Sequence, residues 1–226
     1  MQVLKKTVVA AVLASVSLFS FAASTSSCSG YNTTTKSCAY KPSNAISYAT
    51  TYAINGTGNT GFPDYTGYGG DCTNFASSVV MSGLVGSTNP NTVVNNAKYF
   101  ALGPNWYYRT SWDRGTAWTG ANEFHNFVKT TRSKGMKFAF ITKDSPTQAL
   151  NFSAIQVGDL MFLDDGGNGV VEHTMIVTQK IANSYAGIKV SYRNSVGILP
   201  QLNRALSTFN SPTTVFLVYR PINYQD

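Results

Sequence analysis

Apolar residues recur at Cys72, Phe75, Ala76, Val79 and Val80, a spacing of three and four that predicts a helix from Cys72 to about Ser82. Asp71 is suited to cap its first turn and Gly83 to stop it. Upstream, Ala45, Tyr48, Ala49 and Tyr52 form one stripe of a shorter helix over 43–52, which would pack beside the first. The stretch 84–120 has no such period and reads as loop. Residues 121–133 return to helix, with Phe124, Phe127 and Val128 inward and His125 off that stripe, toward solvent. The pattern then changes to strands: 155–163, entered through Gly158 and Asp159; 173–179, which alternates after a glycine-rich turn; 188–194; and 214–220. Helices first and antiparallel strands after make an α+β plan.

Composition adds a compartment to that plan. Lys5 and Lys6 precede an apolar run over 7–21 and then small residues, the form of a secretory signal peptide cleaved after Ala22. The run is too short and too rich in Ser and Ala for a membrane span, and no lipid-attachment motif precedes Cys28, so the expectation is a secreted or periplasmic protein without an integral membrane segment. Residues 23–41 read as a disulfide-looped segment and 42–226 as one domain, a monomer, since no linker or repeat divides them. Without the signal the formal charge is about +5, scattered, with no nucleic-acid-binding motif near the densest group at Lys129, Arg132, Lys134 and Lys137. Nucleic acid is therefore not an expected partner, and no cofactor or metal is expected either.

Cysteine count changes the picture most. Cys28 and Cys38 lie close together in a small polar segment and read as a bridge, worth about 2 to 3 kcal/mol by the chain-entropy estimate. Cys72 is then the odd one. As plain structure it is a small buried hydrophobe, but at a helix start the aligned peptide dipoles favour a thiolate and make the sulfur a nucleophile. Such a nucleophile needs a base, and His173 opens a strand. Folding 173–180 and 188–195 into a hairpin brings Asn194 beside it as the orienting group, with Glu172, Asp164 and Asp165 as rivals and Arg193 or Ser195 offered by a one-residue slip. An oxyanion formed on attack would meet the backbone N–H of the helix start, aided by Tyr65 or Tyr68 from the preceding loop, next to Asp71. All three tryptophans fall between 106 and 118, so Trp106 and Trp112 are candidates for a cleft wall that stacks on a sugar or peptide, or else for a lid over the core.

These residues also carry a resemblance. Gly-Gly-Asp-Cys-Thr-Asn-Phe-Ala-Ser (69–77), Tyr-Ala-x-x-Tyr-Ala (48–53), Asn-Trp-Tyr-Tyr (105–108), Ser-Trp (111–112), Val-Gly-Asp-Leu (157–160) and His-Thr-Met-Ile-Val-Thr (173–178) resemble the bacterial putative amidase domain family. The blocks come in the family's order over about 45–210. That family is similar to NlpC/P60 and CHAP cysteine peptidases, and the resemblance implies a papain-like core with Cys72 as nucleophile and His173 as base. Where the family often has a His-Thr-like polar pair, this chain has Tyr192-Arg193-Asn194-Ser195, which leaves the third member open. The implied activity is a secreted cysteine amidase or peptidase acting on cell-wall (peptidoglycan) peptide. The alternative is a non-catalytic exported module that holds a wall polymer or glycan with its aromatic segment.

Overall fold

A buried helix laid against one face of an antiparallel sheet organises the computed structural model, which describes residues 28, 32, 34, 37–53, 61–68, 71–100, 102–145, 147–193 and 201–225. The signal expected over 1–22 lies outside the described residues, and among those described no helix is long and apolar enough to cross a membrane. Cys28 and Cys38 are bridged, with Cα atoms 6.0 Å apart, and Cys72 is free.

In chain order the elements are β1 (Ser37–Ala39), α1 (Pro42–Tyr52), a 3₁₀ turn (Thr66–Tyr68), α2 (Cys72–Val85), α3 (Pro90–Ala97), α4 (Thr116–Thr119), α5 (Ala121–Val128), β2 (Gly135–Lys143), β3 (Leu160–Asp164), β4 (His173–Lys180), β5 (Ile188–Ser191), β6 (Arg204–Ala205) and β7 (Val215–Gln225). In α1 the stripe Ala45, Tyr48 and Ala49 is buried, as the spacing predicts, and packs on α2. In α2 every residue from Cys72 to Leu84 is buried, because α1, α3, α4 and the sheet surround it. The helix ends at Gly86 (φ 71°), whose left-handed backbone lets its N–H reach Ser82 O at 2.9 Å. Gly83, expected as the stop, lies inside the helix: a Cβ there would sit 2.3 Å from the Tyr40 ring, so its role is close packing.

The strand order is β1-β7-β3-β4-β5-β6, with β2 on the other flank of β7, and all pairs are antiparallel. Register places Leu163 opposite His173 and Leu160 opposite Ile176, and Ile176 opposite Ser191. Leu160, Phe162, Ile176 and Tyr219 join the helices in one core cluster, and Met161, Met175, Val177, Phe216 and Val218 fill a second with Leu150, Ile155 and Leu206. Burial on both faces explains why β3 reads as a continuous apolar run. Asp159, from the Val-Gly-Asp-Leu block, is 1% exposed and takes Arg220 of β7 in two bonds, Nε at 2.7 Å and Nη2 at 2.9 Å, which ties the entry of β3 to β7.

Candidate active site

Thr73 and Thr174 fasten the first turn of α2 to the start of β4: their hydroxyls share a hydrogen bond of 3.2 Å. The neighbours of these two threonines are Cys72 and His173. Because side chains alternate along β4, Thr174 and Ile176 face α2 while Met175 and Val177 face the second cluster. His173, at the first position of the strand, therefore meets the thiol from the strand's end rather than from the middle of the helix-facing surface. Its ring stands edge-on to Tyr192, centroids 4.7 Å apart. Its Nε2 is buried and has no hydrogen-bond partner among the described residues.

The Cys72 thiol is subject to opposed influences. Burial pushes it up, but the charge and hydrogen bonding of the His173 imidazole, the Thr174 N–H and the Thr73 hydroxyl (3.7 Å from Sγ) together bring it down to about 7. A thiol poised there is half ionised at neutral pH, the state in which cysteine is a nucleophile.

Asp71 does not do what its position suggests. Its carboxylate accepts no backbone N–H of the first turn of α2: Oδ1 accepts from the Tyr65 N–H at 3.0 Å and from the Asn74 side chain, Nδ2, at 2.7 Å, while Oδ2 faces Arg193 Nε at 3.3 Å. Burial raises its carboxyl to about 6 against the downward pull of those three partners. Asn74 also donates to Pro63 O at 2.9 Å and accepts from Trp118 Nε1 at 2.9 Å. The spacing of residues does not single out Asn74, and it offers Arg193 only as a slipped alternative to Asn194, not as a partner of Asp71. The available signal was a single arginine directly after an apolar strand in a chain with only 12% charged residues, where a buried cation has to find a carboxylate.

The remaining expected site residues are dispersed. Asn194 lies outside the described residues. Among its rivals, Asp164 accepts from the N–H groups of Asn168 and Gly169 at 3.1 and 2.7 Å, Asp165 accepts from Thr214 Oγ1 at 3.1 Å, and Glu172 accepts from the Asp165 N–H at 2.9 Å, so all three are engaged in shaping the turn before β4. The Tyr65 hydroxyl donates to Ser111 O at 3.1 Å and its ring carries the Arg114 guanidinium at 4.2 Å. Tyr68 ends the 3₁₀ turn, and its side chain lies outside the described residues. Trp106 is fully buried, its Nε1 bonded to Ser77 Oγ of α2 at 2.9 Å, so it belongs to the core and not to a cleft wall. Trp112 is 88% exposed at the rim of a groove of about 300 Å³ that also takes in Pro63, Asp64, Tyr65, Ser111 and Arg114.

His125 corrects another expectation. It is buried rather than solvent-facing: its ring lies against Phe162 and Tyr219, Nε2 is 3.3 Å from the Tyr219 hydroxyl, and Nδ1 is buried without a hydrogen-bond partner among the described residues. Burial, then Lys129 and Lys143, hold it down to about 4, so it is neutral at pH 7. Among the described residues no group of three or more His, Cys, Asp or Glu side chains could hold a metal ion.

The family model described as putative amidase domain matches residues 39–218. No curated protein and no solved structure matches the chain.

Proposed function

The chain belongs to the putative amidase domain family, and on that premise we propose that it hydrolyses amide bonds by a cysteine mechanism, with Cys72 as nucleophile and His173 as base. The observation that carries this reading is a free cysteine at the start of α2 set beside the histidine that opens β4, fastened one residue further on by the Thr73–Thr174 bond. His173 takes the thiol proton, and the sulfur attacks the carbonyl carbon to give a tetrahedral oxyanion. The imidazolium then protonates the departing amine, leaving a thioester on Cys72. Water, deprotonated by His173, hydrolyses the thioester and frees the carboxylate and the thiol. The backbone N–H at the start of α2 stabilises the oxyanion. With the Tyr65 hydroxyl given to Ser111, Tyr68 is the better choice for a second donor, an interaction whose removal costs about 10²–10³ in rate.

Asn194 completes the site in this reading by accepting the N–H of the imidazole nitrogen that Cys72 does not engage. The order of helices and antiparallel strands supports a papain-like core. The groove edged by Trp112, with the Asp64 carboxylate and the Arg114 guanidinium along it, suits a peptide carrying charges of both signs, and the signal expected over 1–22 together with the Cys28–Cys38 bridge supports work outside the cytoplasm on peptidoglycan peptide. A purely glycan-binding role is weakened because Trp106 and Trp118 are both consumed by the core.

The test is to incubate the chain lacking 1–22 with purified peptidoglycan and weigh the products by mass spectrometry. Fragments that have gained one water at an amide, absent with Cys72→Ala, are expected. Products that persist undiminished with Cys72→Ala would overturn the cysteine mechanism, and none with either protein would overturn the substrate.

A further inference from the structure

Cys72 and His173 are held between two cross-links, one to each side. Past them in the chain is the Thr73–Thr174 bond. Before Cys72 stands Asp71, whose carboxylate meets Arg193 Nε at 3.3 Å, and Arg193 directly follows Tyr192, the ring against which His173 is set edge-on. We propose that Asp71 and Arg193 form a positioning pair that sets the separation of the Cys72 thiol from the His173 imidazole. The proposal rests on the reading of Cys72 and His173 as the reacting couple.

Both members of the pair are nearly closed to solvent, Arg193 at 5% and Asp71 at 1%. A buried ion pair is a poor device for stability alone, because removing two charges from water costs about as much as their attraction returns, and apolar residues of similar size serve as well or better. What such a pair supplies that apolar packing does not is direction. The Asp71 carboxylate is fixed from three sides, by the Tyr65 N–H, by Asn74 Nδ2 on its own helix and by Arg193. The guanidinium is in turn directed to a second carboxylate, Asp64 at 3.7 Å, in the loop that lines the Trp112 groove. One cation therefore joins three parts of the site: the residue before the nucleophile, the residue after the ring that supports the histidine, and the edge of the groove. A loss of this link moves the imidazole relative to the sulfur while Thr73–Thr174 keeps the elements together.

The readout is alkylation of Cys72 by iodoacetamide as a function of pH, on the full chain with the Cys28–Cys38 bridge intact so that Cys72 is the free thiol. The midpoint is expected near 7 in the unaltered protein. Asp71→Asn combined with Arg193→Met removes both charges, so neither is left buried alone. In that double variant, folded as judged by cooperative thermal unfolding, the midpoint should rise toward the value of an ordinary cysteine, and alkylation at pH 7 should fall about tenfold. A folded double variant with an unchanged midpoint overturns the proposal, since a merely structural pair would not move the thiol. Should the double variant not fold, Arg193→Lys decides alone: it keeps the charge but replaces the planar fork, and a raised midpoint supports the positioning role whereas an unchanged one overturns it. Alkylation needs no substrate, so a raised midpoint together with absent hydrolysis by the unaltered protein would sink the substrate assignment and leave the positioning pair standing.

Discussion

The aromatic bay around Trp106 and the polar seam around Cys72 lie against the same helix, α2, and both are buried apart from the half-buried His173, yet they are filled in opposite ways. In the bay, Trp106 packs on Phe124 and Phe127 with ring centroids 5.0 and 5.2 Å apart and on Trp118 at 6.1 Å. Its polar atoms are few, and the two indole N–H groups are spent on Ser77 and Asn74. The seam is built instead from Asp71, Cys72, Thr73, Asn74, His173, Thr174 and Arg193. His125 lies against the aromatic side and His173 in the seam, and each has one buried ring nitrogen without a hydrogen-bond partner among the described residues. Around His125 stand Phe162 and Tyr219, and burial keeps it neutral. Beside His173 is a thiol with a proton to give. The two imidazoles thus differ in both respects: His125 is buried among rings, and His173 is half-buried beside a thiol.

The sharpest way to break that contrast is to remove each histidine. His173→Ala should lower hydrolysis by on the order of 10³ or more and Cys72→Ala should abolish it, while His125→Gln should stay within a few-fold, as measured by kcat/KM on one amide substrate. Equal losses with the fold intact would erase the distinction between seam and bay. Next in size is the packing of the bay itself. Trp106→Ala should cost about 3–5 kcal/mol in denaturant unfolding, whereas the exposed Trp112→Ala should change stability by less than about 0.5 kcal/mol and act on KM instead. A smaller effect is expected at Asn194. Its replacement by Ala should cost less turnover than His173→Ala, and Asn194→Asp should restore part of it, because a carboxylate accepts the same bond; undiminished turnover in Asn194→Ala would move the orienting role elsewhere, with Asp164 or Asp165 next to be replaced.

The smallest expected effect is on stability against pH, and its sign follows from burial. His125 protonates near 4 when folded and near 6.5 when unfolded, so the unfolded state binds more protons in between and stability falls as pH drops through that window. Asp71, raised to about 6, works in the opposite direction below that pH. His125→Gln should flatten the acid loss, which thermal unfolding at pH 7, 5.5 and 4.5 would reveal. Hydrolysis, by contrast, should rise with pH through about 7 as the Cys72 thiolate forms, and should do so in His125→Gln too.

Much of this was readable from residue spacing, and the exceptions have physical reasons. The start of α2 and the stripe of α1 follow from helical spacing, β4 from alternation, and β3 and β7 from short apolar runs. β2 was missed because bulges between Lys137 and Phe138 and between Phe140 and Thr142 shift its phase twice, so no alternation survives. α3 shows no helical period because only Val93 and Ala97 are buried, although Asn89, which accepts from the Thr92 N–H at 3.2 Å, and Pro90 after it are the start signals of a helix. His125 is buried although it lies off the stripe of Phe124, Phe127 and Val128, because the inward arc of α5 is wider than that stripe, with Phe162 and Tyr219 of the sheet reaching it from the side. The Asp71–Arg193 bond joins residues far apart in the chain, and no local period encodes such a pairing.

The short strand β1 has a consequence for handling the protein. β7 is longer than β3: from Leu217 to Tyr219 it lies between β3 and β2, but at its far end β3 has stopped and Ser37–Ala39 covers the vacated side, pairing with Asn223–Gln225. Cys38 is in the middle of that cover, tethered to Cys28. Reducing the bridge loosens a three-residue patch whose removal bares a row of backbone N–H and C=O groups on a strand already held rigid by β2, a ready template for another chain. Loss of the bridge therefore shows itself as self-association and precipitation, sooner than as a lower melting temperature.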